Sequence, residues 1–236
     1  VFPFGIMMNW PEPWGKIWDN WSRFPRRLNE KLLIPTILSS HGYMLRGQYR
    51  NHNGRRPNMY WLTLAESTAH KDTNSSDVLR DMGHNMRDKD ILNSVFDSMH
   101  TSDSSITSDT AFVKSVEAGD GALYWNNTEA TRVFQQLAGN GGGNAHVMAL
   151  SDKLIEVVDG HEISGKRKAQ ENVTTITDPN VQVVFYAQPE TINKYMTAAM
   201  IDSGFLGRAV ITLDDDDLED DEYSLFDEPD YEEGWK

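Results

Sequence analysis

The feature of this chain that most constrains its fold is an alternation of short apolar runs with segments of helical pattern across residues 59–213. The apolar runs, which predict strands, lie at residues 59–65, 122–125, 181–187 and 209–213. The helical patterns lie at residues 110–117, 130–137, 146–158 and 190–201. This alternation predicts an α/β fold with a mainly parallel, doubly wound sheet flanked by helices, in which ligands bind at the carboxyl ends of the strands.

Polar residues stand where three of these predicted strands end. Lys71 follows the first strand, Glu129 follows the second and Gln188 follows the third, while Arg208 leads into the fourth. Because the carboxyl ends of parallel strands meet at one edge of a sheet, we expect a functional site there.

The first strand runs into the segment MYWLTLAESTAHKDT, residues 59–73, which has the order strand, loop, lysine and helix start. In a phosphate-binding loop of this order, backbone N–H groups and a helix N-terminus face the anion, and a lysine adds a point charge. Compared with GxxxxGK[ST], Ala65 and His70 replace the glycines, and Asp72 follows Lys71. The alternative interpretation is a buried strand that leads into an ordinary polar surface loop.

Charge is distributed unevenly along the 236 residues. The segment from Asp214 to Lys236 contains thirteen acidic residues and one lysine, and so carries most of the formal net charge of −14. Residues 1–60 are basic, with nine Lys and Arg against three acidic residues. The tail predicts a disordered segment that recruits partners or solubilises the chain, and the basic front predicts either a contact to nucleic acid or a solvated surface.

The chain contains no cysteine, which excludes disulfides, zinc–thiolate sites and thiol catalysis. Its apolar runs are shorter than the roughly 20 residues of a membrane span, and its first residues lack the features of a signal peptide. We therefore expect a cytoplasmic protein without a membrane partner. Because the chain begins with Val1, we also expect a piece of a longer protein, or one that lacks internal residues.

Several local patterns give further expectations. Residues 29–40 predict an apolar helix that Pro35 should bend or end. Asn53-Gly54 predicts a tight turn at the tip of the basic segment 46–56. Ser108 or Asp109 should cap the helix at 110–117, and Gly119 to Gly121 should form a turn.

The order of these motifs resembles a RecA-like P-loop ATPase domain of unknown function that phages, plasmids and prophages carry beside primases and helicases. Its loop A-E-S-G-x-[GR]-K-[ST] is matched by Ala65-Glu66-Ser67 and Lys71, while Thr68, His70 and Asp72 depart from it. Its acidic pair after a strand is matched by Glu129-Ala130, with Thr128 where aspartate is usual. VVFYAQPE and SGFLGR match two later motifs, so that the resemblance covers about residues 1–213.

The resemblance implies ATP and Mg²⁺ as cofactors and a role for each matching residue. Lys71 would contact the β- and γ-phosphates, and Thr73 would supply the magnesium hydroxyl. Glu129 would polarise the attacking water or hold magnesium, and Gln188 would sense the γ-phosphate. Arg208 would act as an arginine finger on the nucleotide of a neighbouring subunit. The backbone around the phosphates would come from Ala65, Glu66, Ser67, Thr68, Ala69 and His70.

The resemblance also implies two segments: a Trp/Pro-rich helical and basic segment at 1–57 and a RecA-like nucleotide-binding core at 58–213. The acidic, disordered tail predicted at 214–236 from its composition forms a third segment and lies outside the resemblance. The implied function is a nucleotide-binding, ATPase-like motor or accessory protein of phage or plasmid DNA replication, associated with a helicase or primase. It would act as a homo-oligomer on DNA, with the tail recruiting replication proteins. The alternatives are a catalytically degenerate module that binds nucleic acid or a replication partner, and a processed virion structural protein.

Overall fold

Four parallel strands form the central sheet of the protein. The computed structural model describes residues 29–44, 49–66, 69, 71–75, 106, 108–137, 145–166 and 173–214. The strands of the sheet are β1 (Met59–Leu64), β2 (Ala122–Asn127), β5 (Asn180–Ala187) and β6 (Val210–Leu213). The four apolar runs singled out in the sequence are therefore strands, and the prediction of a mainly parallel α/β sheet is confirmed.

The strands lie in the order β2-β5-β1-β6, and every neighbouring pair is parallel. Leu64 is level with Ala187 on one side and with Leu213 on the other. All four strands consequently end at the same side of the sheet, which we call the carboxyl edge; the opposite side is the amino edge. The strand that Gln188 follows lies between the strands that Lys71 and Glu129 follow.

The central strand β5 has the sequence NVQVVFYA, and all eight of its residues are buried. A strand with helices on both faces needs apolar side chains on both sides, so it reads as a nearly continuous apolar run rather than an alternation. Val183 and Phe185 pack into the core on one face, and Val184 and Tyr186 pack into the core on the other.

Helices cover both faces of the sheet. Helix α1 (Glu30–Met44) packs on the face that carries Trp61, Tyr124 and Tyr186. The core on the opposite face takes buried side chains from five described helices. These are α2 (Asp109–Ala118), α3 (Thr131–Leu137), α4 (Ala145–Val158), α5 (Pro189–Tyr195) and α6 (Ala198–Asp202).

Helix α1 is continuous through Pro35, so of the two expected effects of this proline, a bend or an end, the end does not occur. Proline removes one backbone donor, but the burial of the helix on the sheet outweighs that local loss. The helix is also held at both ends. The Asn29 side chain accepts a hydrogen bond of 3.3 Å from Leu32 N, and Asn180 Nδ2 donates to the Gly42 carbonyl at 3.3 Å.

The predicted cap and turns are confirmed. Ser108 Oγ accepts a hydrogen bond of 3.2 Å from Ala111 N and so caps α2. The turn after α2 places Asp120 at φ 54° and Gly121 at φ 81°, in the left-handed region that glycine adopts without strain. Gly54 at the tip of the basic segment also has a positive φ, 75°.

Two elements differ from the sequence prediction. The polar stretch at 160–172 contains β3 (Ile163–Lys166), which pairs antiparallel with β4 (Val173–Ile176) outside the main sheet. The helix predicted over 190–201 is two helices, α5 and α6, separated at Met196 and Thr197. The Thr197 side chain accepts a hydrogen bond of 3.3 Å from Met200 N, and this local capping favours a new helix start over continuation.

Candidate functional site

Backbone hydrogen bonds continue past the ends of the strands and hold the carboxyl edge together. Ala65 N donates to the Ala187 carbonyl at 3.0 Å, just beyond β1. Ala130 N donates to the Tyr186 carbonyl at 3.0 Å, just beyond β2. The segments that carry Lys71, Glu129 and Gln188 therefore leave the sheet side by side.

Lys71 is the most unusual side chain at this edge. It lies in the turn 71–75 and is only 5% exposed. Among the residues that the structure describes, none makes a hydrogen bond or ion pair with its ammonium group. Burying a charged group without a partner is unfavourable by several kcal/mol, so such groups are usually paired with an opposite charge. Lys71 is therefore the candidate cation for an anionic ligand at this edge.

The small residues of the loop before Lys71 have a packing role. Ala65 and Ala69 are buried in the core between α1 and the sheet, whereas Glu66 is exposed. The loop is thus anchored by its alanines, one of which stands where the phosphate-loop pattern has glycine. The predicted ligands Ser67, Thr68 and His70 lie outside the described residues.

A buried polar pair links the turn to β2. The Ser75 hydroxyl lies 3.0 Å from Oδ1 and 2.7 Å from Nδ2 of Asn126, and the two residues are 0% and 2% exposed. The hydroxyl of Thr73, the predicted magnesium ligand, accepts a hydrogen bond of 3.4 Å from Asn74 Nδ2. The sequence reading missed both Ser75 and Asn126. Only Asn126 had a signal in the sequence, because it is a polar residue near the end of a buried strand.

Helix α1 is bonded to the same turn. Asn29 N donates to Asn74 Oδ1 at 2.8 Å, and Thr36 Oγ1 donates to the Asn74 carbonyl at 3.1 Å. The Tyr186 hydroxyl donates to the Leu32 carbonyl at 2.9 Å and lies 2.9 Å from the Thr36 hydroxyl. Burial raises the pKa of Tyr186 to about 12, so its hydroxyl is neutral and can donate. The sequence reading did not connect these residues with the site.

Two of the other predicted residues lie at the carboxyl edge. Glu129 is exposed, and its N–H donates to Asn127 Oδ1 at 2.9 Å in the turn after β2. Gln188 precedes Pro189 at the start of α5, where its side chain makes no capping hydrogen bond. The structure thus brings Lys71, Glu129 and Gln188 to one edge of the sheet.

Arg208 lies elsewhere, because it precedes β6 and therefore stands at the amino edge. Its guanidinium donates to both carboxylate oxygens of Asp159, each at 2.8 Å, and to the Gly204 carbonyl at 2.9 Å. Within one chain, Arg208 and Lys71 are on opposite sides of the sheet. A contact between Arg208 and a nucleotide beside Lys71 would require a second copy of the chain.

The ion pair of Arg208 with Asp159 gives a prediction about stability and pH. The hydrogen bond from Arg208 is the main reason why the pKa of Asp159 lies below its ordinary 3.8. A lowered carboxyl pKa stabilises the fold above the unfolded-state pKa, and that stabilisation is lost as the pH falls through the folded-state pKa. We expect Arg208→Ala to lower the free energy of unfolding near pH 7 by up to about 1 kcal/mol, since both side chains are about one-third exposed.

Chemical denaturation of the wild type and of Arg208→Ala, near neutral pH and at a pH below the folded-state pKa, measures this effect. The two proteins should differ near neutral pH and converge in acid. The double variant Arg208→Ala with Asp159→Asn should lose less stability than the sum of the losses of the two single variants, because both substitutions remove the same ion pair. A difference between wild type and Arg208→Ala that persists undiminished in acid would contradict the ion-pair explanation.

Two arginines of the basic segment are also paired within the chain. Arg56 Nε donates to Asp178 Oδ2 at 2.8 Å, and Arg50 bonds to the same carboxylate. Desolvation by burial raises the pKa of Asp178, but the hydrogen bonds from Arg56 and Arg50 outweigh it and lower the pKa overall. Arg55 of the same segment is exposed, and Arg46 lies outside the described residues.

Comparisons of the chain with protein-family models, with curated proteins and with solved structures found no match. In the part of the chain that the structure describes, no helix is long and apolar enough to cross a membrane.

Proposed function

We propose that this chain is a nucleotide-binding, ATPase-like module that holds the phosphates of a nucleoside triphosphate at the carboxyl edge, beside Lys71. The observation that carries the proposal is the side chain of Lys71, which is only 5% exposed and whose ammonium makes no hydrogen bond or ion pair with the described residues. A phosphate group would supply the missing negative charge, and a charge-assisted bond of this kind is short and strong. The parallel sheet supports the same location, since ligands in such sheets bind where the strands end.

The order of the strands supports roles for two further residues. Because β5 lies between β1 and β2, Gln188 follows the strand next to the Lys71 loop, and Glu129 follows the next strand along. A phosphate chain held by Lys71 would extend along this edge toward them. In the proposed function, Gln188 contacts the terminal phosphate and Glu129 orients a water molecule for its hydrolysis.

The association with phage or plasmid DNA replication is supported by the order of the sequence motifs, from Ala65-Glu66-Ser67 to the SGFLGR segment. In this proposal the module is oligomeric, and Arg208 of one copy approaches the nucleotide of the next. Its bond to Asp159 would then have to be exchanged for a bond to phosphate when the copies assemble.

Titration calorimetry of the purified chain with ATP tests the binding site. Lys71→Ala should weaken ATP binding by about tenfold to a hundredfold, the equivalent of one charge-assisted hydrogen bond. Lys114→Ala is the matched control, because Lys114 is an exposed lysine of α2. Equal affinities for the wild type and Lys71→Ala, or a wild type that binds no nucleotide, would overturn the proposal.

A further inference from the structure

Apolar side chains are exposed along one outer strand of the sheet. β6 is the last strand in the order β2-β5-β1-β6, and it pairs with β1 on its inner side. Of the five large apolar side chains that are exposed among the described residues, three belong to this strand: Val210 at 39%, Ile211 at 51% and Leu213 at 51%. The outer strand at the opposite end of the order, β2, is buried over its first five residues. The two outer strands therefore differ, and β6 is the one that presents apolar side chains to solvent.

The exposed side chains of β6 extend the core to the surface. Ile211 is level with Leu62 of β1, and Leu213 is level with Leu64. Both of these leucines pack in the core that helices α2 to α6 cover. Natural edge strands commonly carry charged residues or proline, which prevent pairing with another strand, but the sequence of β6, VITL, contains neither. β6 is therefore suited to pair with a further strand.

The charges at the two ends of β6 indicate which strand would fit. At the amino edge, Arg208 precedes β6, and the exposed Arg55 lies against Gly160, the neighbour of Asp159. At the carboxyl edge, three further aspartates, residues 215–217, follow the buried Asp214 in the sequence. A strand with basic residues at its start and acidic residues at its end is complementary in charge to a reversed copy of itself. A second copy of this chain meets this requirement, because a two-fold axis presents the same surface from both partners.

We propose that two copies of this chain associate through β6, with the two strands antiparallel and related by a two-fold axis. The two sheets then form one continuous sheet, in which Ile211 and Leu213 of each copy pack against the same side chains of the other. Antiparallel pairing also brings Arg208 to the partner's carboxyl edge, two strand spacings, or about 10 Å, from the end of the partner's β1. Because β1 leads to Lys71, this role of Arg208 rests on the proposed function, whereas the interface itself does not.

Sedimentation velocity of the full chain at increasing concentration tests the interface. Because a four-residue strand forms a small interface, we expect a weak dimer, with a mass that rises from that of one chain toward twice that value. Ile211→Lys places a charge on the pairing strand and should keep the mass at that of one chain. Ile201→Lys is the matched control, because Ile201 is 57% exposed but lies on α6, and it should dimerise as the wild type does. A wild type that stays monomeric at its highest soluble concentration, or an Ile211→Lys protein that dimerises equally well, overturns the proposal.

Cysteine crosslinking tests the orientation of the strands, since the chain has no cysteine of its own. Ala209→Cys and Leu213→Cys place thiols at the two ends of β6. In an antiparallel pair the start of one strand lies opposite the end of the other, so a mixture of the two variants should crosslink mainly between unlike chains under mild oxidation. Crosslinking mainly between like chains would overturn the antiparallel arrangement.

Calorimetric titration of the wild type with ATP separates this inference from the proposed function. A monomeric protein that binds ATP overturns the β6 interface and leaves the Lys71 site intact. A dimer that Ile211→Lys dissociates but that binds no ATP upholds the interface and overturns the proposed function.

Discussion

Lys71→Met is expected to raise the free energy of unfolding of the ligand-free protein by up to about 1 kcal/mol, because the Lys71 side chain is only 5% exposed and its charged group has no partner among the described residues. Methionine has a similar length and no charge, so it fills the same space without a charged group. The same substitution should abolish the charge-assisted contact to phosphate. A residue that reduces stability while it provides binding is typical of functional sites.

Urea denaturation without nucleotide measures this prediction, as a higher midpoint with an unchanged slope. Lys114→Met is the control and should change the free energy of unfolding by less than about 0.5 kcal/mol, because its side chain is exposed on α2. A destabilised Lys71→Met protein would show that the ammonium has a stabilising partner in the ligand-free chain. Lys71 would then be paired within the chain and would not require an anionic ligand.

Phe185→Ala is expected to lower the free energy of unfolding by about 3–5 kcal/mol, the range found when a large buried aromatic side chain is truncated. Phe185 lies on the central strand β5 and is 0% exposed. Its ring centroid is 4.7 Å from that of Trp125 on β2 and 5.6 Å from that of Tyr60 on β1, both in edge-to-face geometry. Removing the ring would leave a cavity between three strands that rigid sheet geometry cannot close.

Thermal and chemical unfolding of Phe185→Ala check this expectation. Ile211→Ala on the edge strand β6 is the comparison, since Ile211 is 51% exposed and should change the free energy of unfolding by less than about 1 kcal/mol. If the two variants were equally stable, β5 would not be the centre of the core.

The four strands could be predicted from the sequence because their signal is local. A run such as VQVVFYA has apolar side chains for both faces, and this pattern excludes an exposed strand and a surface loop alike. The hairpin of β3 and β4 gave no such signal, because its strands are short and rich in Ser, Gly and Thr. The continuity of α1 through Pro35 was also unpredictable, since it depends on packing against a sheet that is distant in sequence.

The candidate site was predictable in part, because its location follows from strands whose apolar pattern is local in sequence. The general rule for parallel sheets placed Lys71, Glu129 and Gln188 at one edge once the strands were known. The partners of the buried polar groups were not predictable. Asn126 bonds to Ser75 across 51 residues of chain, and Asn29 bonds to Asn74 across 45. Nothing local distinguishes these asparagines from the others in the chain.

The sequence by itself therefore determined the fold class, the four strands of the main sheet and the edge at which polar residues gather, because each follows from the pattern of apolar side chains along a short segment. Only the tertiary structure decided the order β2-β5-β1-β6, the burial of Lys71 and the separation of Arg208 from it. It also decided that the Ser75 hydroxyl bonds to Asn126 near the end of β2. Hydrogen-bond partners and burial depend on which segments meet in space, and that information belongs to the folded chain as a whole.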